Sequence, residues 1–128
     1  MKIKLTTVYV DDQAKALRFY TDVLGFVKKA DFSQGSFRWL TVTGPDDPDG
    51  TELQLALTDS TATAYQQARL AQGAPTVMFN CDDVRAECAR CEARGAELTM
   101  RPTDVTGSTI ATLKDTCGNL VQLVQLKG

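Results

Sequence analysis

The chain contains no histidine, which removes the side chain most often used to move protons or hold a metal ion near neutral pH. Any acid–base chemistry falls to carboxylates and other side chains. Long apolar runs are also missing: the opening MKIKLTTVYVDD alternates polar with apolar residues, and no later stretch approaches the ~20 apolar residues of a membrane span. The expectation is therefore a cytoplasmic chain without a membrane partner. Basic clusters are absent as well. With 14 Lys plus Arg against 16 Asp plus Glu and a formal net charge of -2, nothing could follow a phosphate backbone, so nucleic acid is not an expected partner. Cysteine is modest. Cys81, Cys88, Cys91 and Cys117 are even in number, but 128 residues with 43% hydrophobic content can bury a core without disulfides. Reduced thiols are expected.

What is present is a strong local pattern. Residues 2 to 10 alternate as a strand, with Leu5, Thr7 and Tyr9 on one face and Val8 and Val10 on the other. Asp11 or Asp12 then caps a helix through Ala14, Ala16, Leu17, Tyr20, Val23 and Leu24, which Gly25 stops. Strands are predicted at 26 to 32, 36 to 43 and 51 to 58. The turn-rich GPDDPDG of 44 to 50 lacks the spaced ligands of a calcium loop and reads as a solvated hairpin connection. A short helix or ordered connector occupies 61 to 73.

The order of elements then starts again. PTVMFNC (75 to 81) reads as a strand, Asp82 or Asp83 caps a helix through 84 to 95, and strands follow near 96 to 100, 107 to 114 and 119 to 126. Asp12 to Asp83 is 71 residues, Gly25 to Gly95 is 70, and Gln54 to Gln122 is 68. A near-constant offset is the signature of duplication. The chain reads as one α+β domain over 1–128, built from two tandem βαβββ modules, 1–60 and 74–128, joined by the connector 61–73.

Alternation also assigns faces. Leu53, Leu55 and Leu57 share one side of their strand and must meet the helix, so Glu52, Gln54, Ala56 and Thr58 line the opposite side. The second module presents Thr76, Met78 and Asn80 in the same way. Phe37, Trp39 and Thr41 alternate with Arg38, Leu40 and Val42; the pattern leaves both phases open for Trp39, cleft or core.

The segment VYVDDQAKALRFYTDVLGF (8 to 26), through Val10 with Asp12, Phe19 with Tyr20, and Leu24-Gly25-Phe26, resembles the opening of the vicinal oxygen chelate superfamily. Its members include glyoxalase I, extradiol dioxygenases and bleomycin-binding proteins. DTCGNLVQLVQ (115 to 125) resembles that superfamily's closing turn and final strand. The resemblance implies a curved mixed sheet around a cleft, with four metal-ligand positions falling here on Leu5, Gln54, Thr76 and Gln122. In metal-dependent relatives these are mostly His and Glu. A leucine, a threonine and two neutral amides lack the anionic or imidazole donors that offset cation dehydration, so neither metal nor other cofactor is expected.

A cleft lined by Thr7, Trp39, Glu52, Gln54, Thr76, Met78 and Gln122 suits binding of an unidentified small, partly aromatic or polar molecule. The leading reading is thus a small-molecule binding protein, with a homodimer expected from the resemblance. The alternative is a glyoxalase-like lyase or isomerase whose ligands have moved or vanished, with Glu52 as general base if an apolar cleft raises its pKa. A third reading is a structural or regulatory partner. Cys88 and Cys91 form a CxxC string, but mid-helix, where packing is the plainer role. Cys117 is either an oxidisable or an ordinary turn residue. Arg101 either reaches the cleft mouth or lies on the surface.

Overall fold

The computed structural model describes residues 1–127. In the first module β1 (Leu5–Val10) leads into α1 (Gln13–Arg18), which continues as a π-helical turn over Phe19–Val23, and then into β2 (Val27–Gln34), β3 (Phe37–Thr43) and β4 (Glu52–Leu57). The connector forms α2 (Ser60–Ala71). The second module repeats the order with β5 (Val77–Asn80), α3 (Val84–Ala93), β6 (Leu98–Val105), β7 (Ser108–Lys114) and β8 (Leu120–Leu126).

Equivalent residues start both module helices. Asp12 accepts a hydrogen bond from the backbone N–H of Lys15, and Asp83 accepts one from Ala86, each satisfying a donor that helix geometry leaves free. Asp59 caps α2 in the same manner. The first helix does not run to Gly25 as a plain α-helix. Thr21 donates its hydroxyl proton to the carbonyl of Leu17 at 2.6 Å, and the ladder widens so that Leu24 N–H reaches the carbonyl of Phe19. Gly25 closes the segment with a φ of 90°, a left-handed conformation that a side chain would strain.

Each module builds its own four-stranded mixed sheet, in the orders β1-β4-β3-β2 and β5-β8-β7-β6, and among the described residues no strand of one sheet pairs with a strand of the other. β1 runs parallel to β4 and β5 parallel to β8, while the other neighbours are antiparallel. The strand near 96 to 100 is longer than its pattern suggested, running through Pro102. That residue is tolerated because β6 is an edge strand and the register shifts between Met100 and Thr103.

The helix-facing sides of both sheets share one core, containing Val8, Val10, Leu40, Val42, Leu53 and Leu55 from the first and Ala111, Leu113, Val121 and Leu123 from the second. Tyr20, Val84, Cys88 and Cys91 fill it from the helices. Burying each large aliphatic is worth about 1.5–3 kcal/mol. The phase of β3 follows from this core: Leu40 and Val42 are fully buried within it, so Trp39 faces the other way. Leu57 departs from the reading of β4, since it lies at the strand's end and is 56% exposed.

One buried polar cluster ties the modules together. The Tyr20 hydroxyl donates to the Asp115 carboxylate at 2.8 Å across 95 positions of sequence. Asp115 also accepts from the backbone N–H groups of Cys117 and Asn119 and from the Asn119 amide. The Asn119 and Gln66 amides both donate to the carbonyl of Tyr9, so α2, β1 and the turn before β8 form one network.

Candidate functional site

Because Val8, Leu40, Leu53 and Leu55 turn inward, the alternate residues of the same strands define an open face on the first sheet. Thr7 pairs in register with Gln54, Gln54 with Thr41, and Thr41 with Ala30, so these four form one row across the sheet. The second sheet repeats it: Met78 pairs with Gln122, Gln122 with Thr112, and Thr112 with Met100. The two glutamines are therefore structurally equivalent, each mid-row and half-buried between neutral neighbours.

Around the first row lies an aromatic group. Trp39 is paired with Phe32, Tyr9 stands across from Ala56, and Phe37 precedes Trp39 by two residues on the same side. Phe32 is 61%, Phe37 55% and Tyr9 39% exposed, and on the second sheet Met78 is 58% exposed. Contiguous apolar surface on a sheet face is a general feature of interaction sites. A cavity of about 250 Å³ opens at this end of the first sheet, lined by Gln54, Ala56, Phe37 and Leu57 together with Gln13, Ser36 and Arg38. A second cavity of about 710 Å³ lies elsewhere, against the helices, and contains neither Gln54 nor Gln122.

The residues singled out by sequence divide accordingly. Thr7, Trp39, Glu52 and Gln54 stand on the first sheet, Met78 and Gln122 on the second, and Thr76 immediately precedes β5. Thr76 is drawn into the structural network instead, donating its hydroxyl proton to the Asn119 side-chain oxygen. Tyr9, Phe32, Phe37 and Met100 complete the exposed apolar set. Tyr9 and Phe37 were readable from alternation, but the phase of β2, and with it Phe32, is hidden by the bulge between Lys28 and Ala30.

Glu52 corrects an expectation. It is 8% exposed, but its carboxylate pairs with the Lys4 ammonium at 2.6 Å and accepts the Thr41 hydroxyl proton at 2.7 Å. These contacts outweigh desolvation and hold its pKa below the ordinary carboxylate value, whereas a general base poised near neutrality needs the opposite shift. The positions that the resemblance marks for metal ligands offer a divalent cation a poor set of donors. Leu5 has no donor, the Gln54 carbonyl already accepts the Thr7 hydroxyl proton at 2.9 Å, and Thr76 is spent on Asn119. Among the described residues, no three His, Cys, Asp or Glu side chains are gathered as a metal site.

The thiols are not activated. All four cysteines are free, and burial pushes Cys88 and Cys81 to about 11 and, with the nearby Asp115 charge, Cys117 to about 12. Cys117 is fully buried, which removes the exposed, oxidisable reading. Arg101 pairs with Glu92 of α3 at 3.0 Å, which anchors it to the helix.

Duplicated βαβββ modules with these open faces define a glyoxalase-like fold. The sequence model of the Glyoxalase/Bleomycin resistance protein/Dioxygenase superfamily matches residues 2–123, and the chain belongs to that superfamily. It is 46% identical to the YurT protein of Bacillus subtilis (strain 168) over 98% of this chain and 99% of YurT. It is 28% identical to a probable lactoylglutathione lyase of Vibrio cholerae, over 98% of this chain and 91% of the relative. Among solved structures it is similar to TnmS3, an antibiotic binding protein from Streptomyces sp. CB03234, with a TM-score of 0.80, 29% identity and coverage of 99% of this chain and 97% of that one. Among the described residues, no helix is long and apolar enough to cross a membrane.

Proposed function

We propose that this protein binds a small, partly aromatic molecule on its open sheet faces without a catalytic metal, and that it does so as a homodimer. The observation that carries this reading is the pair of equivalent half-buried glutamines, Gln54 beside exposed Thr7 and Gln122 beside exposed Met78, whose neutral side chains stand where a metal site would need charge, while Thr41 and Thr112 complete the rows as buried residues. Beside them, Trp39, Phe32 and Phe37 offer stacking surface, and Met78 offers a polarizable thioether. TnmS3 supports the reading, as a 29% identical protein of the same fold that binds an antibiotic. The homodimer is supported by the exposure of Tyr9, Phe32, Phe37 and Met78, whose apolar surface a second copy would cover while completing the cleft.

Trp39, the only tryptophan, is the reporter. Titration with a panel of aromatic antibiotics and metabolites should change its emission saturably for at least one compound, and silence across the panel would refute binding. Sedimentation velocity should give twice the 13.9 kDa chain mass, and a monomer at tens of micromolar would remove the dimer.

The Vibrio cholerae relative favours a second reading, a glyoxalase-like lyase. Its test is an assay with the hemithioacetal of methylglyoxal and glutathione alongside elemental analysis. Turnover with stoichiometric bound metal would establish it; an inactive, metal-free preparation would exclude it.

A further inference from the structure

The internal repeat creates two quasi-equivalent junctions between the modules, and they are not filled alike. With the offset of 71 that relates Asp12 to Asp83 and Thr41 to Thr112, Tyr20 corresponds to Cys91 and Asp115 to Gly44. At one junction Tyr20 and Asp115 meet in a buried hydrogen bond and are both fully buried. At the other, the phenol has become a thiol and the carboxylate has no side chain at all. A Cβ built on Gly44 meets nothing within 4 Å. Next to this position lies the cavity of about 710 Å³, lined by Cys91 and by Pro45 and Asp46, which follow Gly44 in the chain.

Its walls have a consistent chemistry. Leu24, Phe26, Phe79 and Leu123 supply an apolar floor, with Phe26 and Phe79 edge to face at 4.8 Å between ring centroids. The two cationic groups at the cavity, Arg90 and Arg94, are outnumbered by four carboxylates, Asp46, Asp82, Asp83 and Glu87. Arg90 donates to the carbonyls of Val23 and Leu24 and pairs with Glu87, and Arg94 donates to the carbonyl of Asp22. Asp46 and Asp82 are exposed at the same cavity and have no ion-pair partner among the described residues. An apolar hollow edged by unpaired carboxylates favours a cation with an apolar body.

We infer that this junction, where Cys91 and Gly44 replace the tyrosine and aspartate of its twin, is a second binding site for a small organic cation carrying an aromatic or aliphatic group. It is separate from the open-face rows and does not depend on them.

The test uses 2-phenylethylammonium as probe, with phenylacetate as a control of similar size and opposite charge. Two-dimensional NMR of the full chain should show saturable shifts from the ammonium at residues 24–26 and 79–83, and none from the carboxylate. Filling the hollow with Cys91→Tyr, alone or with Gly44→Asp, should abolish the shifts. Since a packed variant can fail to fold, Asp46→Asn with Asp82→Asn on the exposed rim provides the second measurement. Its circular dichroism should match the parent, and affinity should fall about three- to tenfold, the scale of two screened surface charges. Equal response to both probes, shifts at residues outside the cavity, undiminished binding in the rim variant, or no binding at millimolar ammonium would each overturn the inference.

Discussion

Replacing Tyr20 with phenylalanine removes one oxygen from the buried cluster joining the two modules and leaves the ring in place. The ring contacts to Phe19 and Phe79, with centroids 5.7 Å and 6.4 Å away, need not change. The lost bond is the 2.8 Å donation to Asp115, whose carboxylate still accepts from Cys117, from the Asn119 backbone and from the Asn119 amide. A hydrogen bond to a charged group contributes about 1.5–3 kcal/mol, and with three donors remaining the expected loss is about 2 kcal/mol. For a chain of this size that corresponds to a Tm lowered by roughly 6–10 °C. Urea unfolding followed by circular dichroism is the assay, with an unchanged m-value expected because the exposed surface is the same. A loss below about 0.5 kcal/mol would refute the claim that this contact helps fix the modules against each other.

Alkali should act on the same region. Burial raises Tyr20 above its ordinary 10.0 and Cys117 from 9.0 to about 12, so both contribute stability that is complete below pH ~9 and lost as the unfolded chain ionises more readily at higher pH. Stability measured between pH 8 and 11 should fall, and less steeply in Tyr20→Phe than in the parent. Glu52 has the opposite sign. Its lowered pKa makes its contribution present above the ordinary 4.5 and lost as pH falls through the folded value, so Glu52→Gln should flatten the acid limb of the stability profile. The effect should stay within about 1 kcal/mol, because Lys4 is 69% exposed and the pair is screened. Leu55→Ala, at a fully buried core position, should cost about 2–5 kcal/mol in the same urea assay while leaving the open face untouched.

Much of the architecture was legible because duplication and alternation are local patterns. The caps could be narrowed to Asp11 or Asp12 and to Asp82 or Asp83, of which the structure selects Asp12 and Asp83, and the equivalence of Gln54 and Gln122 followed from spacing along the chain. Contacts between segments could not. The ion pair from Lys4 to Glu52 reverses the expected direction of a pKa, and nothing in either local pattern announces it. The pairing of Phe32 with Trp39 depends on a bulge, and Tyr20 meets Asp115 only because two modules fold against each other. The 710 Å³ cavity was invisible for the same reason: Leu24, Phe26, Pro45, Phe79 and Cys91, which line it, come together only in the finished fold.

The central claim is that the open faces bind through neutral groups and stacking, with no cation involved. Titration of Trp39 fluorescence with the best aromatic ligand from the panel, before and after exhaustive treatment with EDTA, tests it most directly. The same dissociation constant in both states is predicted; binding that disappears with EDTA and returns with an added divalent metal would contradict it.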